Sequence, residues 1–485
     1  MTVRFVLNGV PVAVDAVDRL DPHVTLLQWL RASGWTGSKE GCAEGECGAC
    51  ALACVGADAE GRTRFEPVNS CLVPLWTVDG RTVVTVEGVA GSGSALHPVQ
   101  DAMVARGGSQ CGYCTPGFVV SLFCEYYRPG RDGYDPESIS GNLCRCTGYR
   151  PIADVARALP RPSANDPWLA VLDTPRSEPV AIERSGGAGV GGARFERPVT
   201  LARLFDCMAE CPDAVLLAGG TDLMVYANQR YDRWPMLIAL EGIPELKAYV
   251  ETPAEIVIGA GVPLSHLEER LASKGDGEAA SLEALLPLFS SRLIRNRATL
   301  GGSLATASPI GDSAPVLLTL DASVTIASAA GERRVPLAAF FLDYRKTVLG
   351  PGDVIVSVHL PRPLPKWQRF YKVSKRVMDD ISTVAAAFAL DRGADGRVAR
   401  LRVAFGGIAA TPLRAVALED RAVGRPWTAE TIALLAPELD ALGTPMSDHR
   451  GSAPYRRAVL RKLLERFFFE TSDARGAALS STVRS

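Results

Sequence analysis

Gly41-Cys42-Ala43-Glu44-Gly45-Glu46-Cys47-Gly48-Ala49-Cys50 is a C-x4-C-x2-C run interleaved with glycine, and a fourth thiol follows at Cys71. This is the plant-type spacing of a [2Fe-2S] centre, in which thiolates hold two sulfide-bridged irons. A loop wrapped round such a cluster needs backbone angles that a Cβ resists, and it turns N–H groups toward negatively charged sulfur; Gly41, Gly45 and Gly48 suit that task. Disulfides are disfavoured, because Met-Thr-Val-Arg-Phe-Val-Leu-Asn at the N-terminus does not resemble a signal peptide and a reducing cytosol keeps thiols free. Structural zinc stays open as a rival, although its sites usually pair two short knuckles, whereas x4 followed by x2 bunches three thiols on one loop.

The rest of the composition is that of an ordinary globular chain. Its 485 residues suggest about three domains at roughly 150 residues each. A net charge of −2 from 52 basic and 54 acidic residues provides no basic field for nucleic acid, and no apolar run approaches the roughly 20 residues needed to cross a bilayer. The expectation is a cytoplasmic protein with neither nucleic acid nor membrane as partner. Ten of the twelve cysteines lie between Cys42 and Cys146, and only Cys207 and Cys211 come later. Metal chemistry therefore belongs to the first third of the chain.

Working outward from the cysteine loop, residues 3–14 alternate apolar and polar about Asn8-Gly9, the signal of a two-residue hairpin. Thr25 can cap a helix over 26–33, with Gly34 as its stop, and 51–55 and 82–89 read as further strands. A small mixed sheet with one helix and a metal loop resembles the β-grasp plan of plant-type ferredoxins over residues 1–80. From Val99 the period turns helical and a second thiol set appears, Cys111 and Cys114, then Cys144 and Cys146. Pro116 and Pro151 sit in the first turns of two predicted helices, to about 127 and 159, so each thiol pair precedes a helix N-terminus, where N–H groups and the dipole favour thiolate. C-x2-C combined with C-x-C is unusual for zinc, which favours a second cluster. Cys54 and Cys124 lie outside both patterns and read as core thiols.

Gln110-Cys-Gly-Tyr-Cys-Thr-Pro-Gly-Phe118 and Gly141-Asn-Leu-Cys-Arg-Cys-Thr-Gly-Tyr-Arg-Pro151, following a plant-type loop, resemble the iron–sulfur part of the molybdenum hydroxylase family. The resemblance implies an α+β multidomain chain. Its parts would be a β-grasp [2Fe-2S] domain over 1–80, an all-α helical [2Fe-2S] domain over 81–160, a non-Rossmann FAD-binding α+β domain over 194–365 and a C-terminal α+β domain over 366–470. Residues 161–193 read as a linker and 471–485 as a tail. Within the linker, Gly187-Ala-Gly-Val-Gly-Gly192 satisfies G-x-G-x-x-G, but Pro198 stands where the required helix should run, so it is not read as a nucleotide site.

The flavin expectation rests on two other stretches. Residues 214–225 are a strand breaking into Gly219-Gly220-Thr221-Asp222, a turn whose bare backbone can approach an anion, and 295–312 form a second polar loop of small and hydroxylated residues. Carried over from the family, the FAD contacts are Leu217, Ala218, Gly219, Gly220, Thr221, Asp222 and Leu223 on the first loop. Thr299, Gly302, Ser303, Thr306, Ser308 and Asp312 follow on the second, with Phe289, Ile355 and Lys372 near the flavin ring. Ser303 stands where the family carries asparagine, and 379–382 matches a loop beside the flavin in NAD-using members.

Two clusters and a flavin form an electron relay, since flavin converts one-electron into two-electron chemistry. No catalytic residue is assigned to this chain, and the resemblance places molybdopterin only in a separate molybdenum-containing large subunit. It implies a heterotetramer of two small and two large chains that oxidises hypoxanthine or xanthine and reduces NAD+. The implied order is the cluster of Cys111, Cys114, Cys144 and Cys146, then that of Cys42, Cys47, Cys50 and Cys71, then FAD. Service to a partner oxidising an aldehyde or N-heterocycle, with oxygen or quinone as acceptor, is the alternative within the class; Val377 and Met378 precede Asp379 where charged residues are expected. A zinc-stabilised or redox-sensing interaction protein is the alternative outside it.

Overall fold

The computed structural model describes residues 2–15, 21–91, 95–174, 184–185 and 192–472. It is a multidomain α+β chain that divides into two compact units. The first takes the chain up to Leu246 together with Pro263–Arg270 and Ser290–Thr299; the second takes Lys247–Val262, Leu271–Phe289 and the chain from Leu300 onward.

The first unit opens on the expected hairpin. Strands Thr2–Leu7 and Val10–Asp15 pair antiparallel, and Asn8 and Gly9 take φ of 52° and 83°, the left-handed values a two-residue turn requires. Helix Leu26–Ala32 begins at a capping box in which Thr25 and Gln28 satisfy each other's backbone N–H, and it buries Leu26, Leu27 and Leu30. The five-stranded sheet runs in the order Val10–Asp15, Thr2–Leu7, Thr82–Val84, Ala51–Ala57, Thr63–Asn69.

Two expectations change here. The strand expected over 82–89 ends at Val84, because the Asn8 side chain takes the Thr85 N–H and the chain then turns through Gly88. That strand pairs with Thr2–Leu7 and Ala51–Ala57, so the sheet reaches past residue 80. Strand Thr63–Asn69 was not anticipated, its period being obscured by Arg64, Glu66 and Pro67.

Helices Pro98–Ala105, Thr115–Tyr126 and Arg150–Ala158 pack with strand residues Ala51, Ala53 and Val55 around Phe118, Leu122, Phe123, Ile152 and Val155. The expected linker is ordered at its start: helix Pro167–Leu172 half-buries Trp168, whose indole N–H donates to the Val89 carbonyl at 3.0 Å. The glycine run at 187–191 lies outside the described residues, as does the tail from 473. A second sheet of the unit orders Arg184–Ser185, Arg194–Arg197, Met236–Ala239 and Val215–Leu217.

In the second unit, an antiparallel sheet orders Tyr249–Glu251, Glu255–Gly259, Val354–Pro361, Ser323–Ser328 and Gly331–Pro336. A four-stranded sheet, Trp367–Val373, Val384–Arg392, Val398–Gly406 and Leu413–Arg414, packs on helices Val416–Ala422, Ala429–Leu435 and Ala453–Thr471 around Phe388, Phe405 and Phe467. The second polar stretch is not a loop throughout. Arg292–Arg295 and Leu300–Thr306 are helical, and within the latter Gly301 lies against Ala260 where a Cβ would meet the Ala260 carbonyl at 2.8 Å. Small residues that read as loop therefore permit a tightly packed helix. Among the described residues, no helix is long and apolar enough to cross a membrane.

Candidate functional site

The first thiol set lies as two close pairs. Cys50 and Cys71 are buried with their sulfurs 3.3 Å apart, and Cys42, half-buried, accepts the Cys47 N–H at 3.4 Å. A hydrogen bond from the Cys47 thiol, with N–H groups of Glu44, Cys47 and Glu46, lowers the Cys42 thiol to about 5, while Cys47 is pushed up as the donor. Cys50 is lowered in the same way by Cys71, which is raised. The glycines are sterically required: a Cβ at Gly41 would sit 2.7 Å from the Cys47 sulfur, and one at Gly48, whose φ is +64°, would sit 2.2 Å from the Gly141 carbonyl.

The second set forms a chain of sulfurs. Cys111 lies 3.5 Å from Cys146, Cys146 lies 3.9 Å from Cys144, and Cys114 stands close to Cys144. Cys111 and Cys146 are exposed, whereas Cys144 is buried and lowered despite its burial, because the Thr147 hydroxyl and N–H point at it. Burial pushes Cys114, the residue that starts helix Thr115–Tyr126, up to about 12.

Among the described residues, no group of three or more His, Cys, Asp or Glu is arranged to hold a metal ion. What fits an iron–sulfur cluster is the donor set: four thiols per group, N–H groups aimed at sulfur and, in the first group, glycines with no room for a Cβ. The two groups also adjoin. The Leu143 N–H donates to the Cys47 carbonyl at 3.0 Å, and Asn142 donates to the Gly48 carbonyl at 3.1 Å. One hydrogen bond and one residue therefore separate Cys47 from Cys144.

The first flavin stretch belongs to the same unit. Strand Val215–Leu217 ends with Leu217 buried and Ala218 half-buried and runs into Gly219 and Gly220, the latter at φ +81°. The N–H groups of Gly220 and Thr221 find no acceptor among the described residues. Gly219 lies against the Arg297 backbone, whose carbonyl oxygen would be 2.0 Å from a Cβ, and a Cβ on Gly220 would be 3.0 Å from the Leu72 carbonyl, one residue beyond Cys71. Asp222 is exposed and Leu223 begins helix Leu223–Gln229. That helix holds the cysteine loop: Asn228 donates to the carbonyls of Ala43 at 2.9 Å and Cys71 at 2.8 Å, and Gln229 to that of Cys42 at 2.6 Å. Thr299 closes the unit, buried.

In the second unit, Asp312 links two predicted features. Its Oδ2 accepts from Lys372 Nζ at 2.8 Å and its Oδ1 from the Ser382 hydroxyl at 2.5 Å, and Lys372 also donates to the Leu288 carbonyl beside Phe289. The Lys372 side chain is 3% exposed, so it is not a solvated surface lysine. Ser382 is the last residue of the 379–382 loop, in which Asp379 has φ 48°. Ser303 bonds Ser313 at 2.7 Å on helix Leu300–Thr306, which also carries Gly302 and Thr306. Ser308 is half-buried beyond it. Ile355 is buried in strand Val354–Pro361 opposite Ile326. Asn142, Asn228, Gln229 and Arg297 were not anticipated, since their role lies in contacts far along the chain and no local pattern signals it.

Comparisons with known proteins match three successive stretches of the chain. Residues 85–157 match a [2Fe-2S] binding domain, 191–363 the FAD binding domain in molybdopterin dehydrogenase, and 369–471 the CO dehydrogenase flavoprotein C-terminal domain. A xanthine dehydrogenase of Emericella nidulans is 32% identical over 99% of this chain and 40% of its own length; xanthine dehydrogenase 1 of Arabidopsis thaliana is 32% identical over 94% and 39%. The chain thus spans about two fifths of the length of these relatives. Among solved structures, quinoline 2-oxidoreductase from Pseudomonas putida 86 aligns with TM-score 0.52 and 26% identity, over 59% of this chain and 97% of its own. Carbon monoxide dehydrogenase from Hydrogenophaga pseudoflava aligns with TM-score 0.52 and 27% identity, over 59% and 96%.

Proposed function

Because the chain belongs to the iron–sulfur and FAD chains of the molybdenum hydroxylases, we propose that it is the electron-transfer subunit of a xanthine dehydrogenase. It would serve a molybdopterin-bearing large subunit that hydroxylates hypoxanthine and xanthine, two chains of each forming the assembly, with NAD+ as the final acceptor. Cys111, Cys114, Cys144 and Cys146 would hold the [2Fe-2S] cluster nearer that partner, since Cys111 and Cys146 are exposed. Cys42, Cys47, Cys50 and Cys71 would hold the second. FAD would rest on the stretch Leu217 to Leu223 and on Thr299, Gly302, Ser303, Thr306, Ser308 and Asp312, with Phe289, Ile355 and Lys372 toward the ring. When bound, the clusters supply one-electron carriers and the flavin the exchange between one- and two-electron chemistry.

The observation that carries this reading is the contact order within the first unit: Cys144 is joined to Cys47 through the Leu143 hydrogen bond, and the Cys71 carbonyl is held by Asn228, nine residues past Gly219. Exposed thiols, buried thiols and the glycine turn follow one another. Replacing Cys111 by Ser in the assembled complex should leave FAD bound and slow flavin reduction by xanthine; an unchanged rate of that reduction refutes the order. A second reading, a subunit for an N-heterocycle or carbon monoxide enzyme, is favoured by the names of the structural neighbours, and turnover of quinoline or carbon monoxide but not xanthine decides for it. Iron content of about four per chain, as two diiron sites require, excludes a zinc-stabilised protein.

A further inference from the structure

Arg297 stands beside the glycine turn, and neither the sequence pattern nor the family description puts it to use. Its Nε donates to the Gly219 carbonyl at 2.9 Å, and its own backbone lies against Gly219 so closely that a Cβ there would be 2.0 Å from the Arg297 oxygen. Backbone and side chain of one residue therefore hold Gly219 from two directions. The peptide between Gly219 and Gly220 is planar and trans, so its C=O and N–H point opposite ways. With the carbonyl turned to Arg297, the Gly220 N–H is turned away from it, and among the described residues that N–H has no acceptor although Gly220 is buried. A buried N–H in this state calls for a partner from outside the chain.

The charge around the turn points the same way. Arg297 pairs with no carboxylate among the described residues. Glu241, in its field, is engaged by Arg81 at 2.8 Å and Arg197 at 3.4 Å, and Asp79 is engaged by Arg197 at 3.2 Å. Glu66, also in its field, is taken by Arg64 and His266. Burial pushes the Arg297 pKa down, yet a guanidinium stays protonated in proteins. A cation at the carbonyl end of a peptide polarises it and strengthens the N–H at the other end as a donor.

We infer that Arg297 is a positioning residue: by fixing and polarising the Gly219 carbonyl it aims the Gly220 N–H at the pyrophosphate of a bound flavin dinucleotide. This rests on the reading that the chain binds FAD. It assigns to Arg297 no contact with the flavin.

The test uses the full chain stripped of flavin and titrated with FAD by fluorescence quenching, with iron content and melting temperature as folding controls. Arg297→Met should weaken FAD roughly ten- to a hundredfold, the worth of a hydrogen bond to a charged group. Arg297→Lys, which keeps charge and donor, should restore most of the affinity; Arg297→Gln, which keeps only the donor, should fall between and flatten the rise of Kd with salt. The 31P resonances of bound FAD should move in the Gln variant. A folded Met variant that binds FAD within twofold of the parent overturns the assignment, and so does a Lys variant as weak as Met. If Met fails to fold, the comparison of Lys with Gln decides alone. A parent chain that binds no FAD removes the flavin reading and this inference together, whereas the variant outcomes touch only Arg297.

Discussion

Asn228 makes the most direct test of how the cysteine loop is held. Its side-chain amide has two hydrogens and spends both on this loop, one on the Ala43 carbonyl at 2.9 Å and one on the Cys71 carbonyl at 2.8 Å. Asn228→Ala removes both donors and leaves the carbonyls of half-buried Ala43 and buried Cys71 with one partner fewer each. Each bond contributes about 1 kcal/mol net, and an abandoned buried acceptor costs roughly 1–3 kcal/mol more, so with partial solvent access the loss should be about 2–3 kcal/mol. For a unit of this size that is a fall in melting temperature of about 5–10 °C. The assay is thermal unfolding followed by visible circular dichroism of the iron–sulfur chromophore, with iron release measured in parallel. Gln229→Ala, which loses one bond at an exposed position, should cost about 0.5–1 kcal/mol and sets the scale. An Asn228→Ala protein that melts within about 1 °C of the parent and keeps its iron would refute the reasoning, because the loop would then be held by its own cysteines alone.

Other perturbations have equally definite outcomes. Lys372→Met leaves the Asp312 carboxylate facing only Ser382 in a buried setting, so it should destabilise by about 3–5 kcal/mol and lower FAD retention; pairing it with Asp312→Asn should recover part of the loss in a double-mutant cycle of denaturant unfolding. Burial holds the His97 imidazole at about 4 against an ordinary 6.5, against the pull of Asp166 and Asp101. The unfolded chain therefore takes up a proton that the folded chain refuses. Stability should be complete above pH 6.5, fall by up to about 3 kcal/mol as the pH drops toward 4, and then level off; His97→Asn, which keeps a good helix cap, should flatten that slope in pH-dependent urea melts. Gly48→Ala, at φ +64° and 2.2 Å from the Gly141 carbonyl, should force the two cysteine loops apart, which the loss of magnetic coupling between the reduced centres in electron paramagnetic resonance would reveal.

What could be read from the sequence was local. The Asn8-Gly9 hairpin, the Thr25 cap and the prolines opening the helices at Thr115 and Arg150 all follow from short-range spacing. The strand at Thr82–Val84 was misjudged in length because the Asn8 side chain, about 77 positions earlier, takes over the backbone where the strand stops. Residues 300–306 were read as loop because glycine, serine and threonine dominate them, yet close packing against Ala260 makes smallness a condition for the helix. Lys372 could not be told from a surface lysine, since its burial depends on Asp312 and Leu288, which lie 60 and 84 positions away. The holders of the cysteine loop, Asn142, Asn228 and Gln229, are polar residues of ordinary type, distinguished by the carbonyls they reach.

Arg295, fully buried, pairs with Glu137 of the helical iron–sulfur region and with Glu268, while Asn296 donates to the Pro67 carbonyl of the ferredoxin-like sheet. The first unit thus borrows its fastening from residues 263–270 and 290–299, well after Cys146, the last cysteine of the two thiol sets. On the ribosome, the segment bearing all eight cysteines of the two thiol sets emerges well before residues 263–299 have been synthesised. A fragment cut after residue 160 would carry Glu137 without its arginine. The thiol-bearing segment by itself therefore lacks the residues that fasten it in the folded chain.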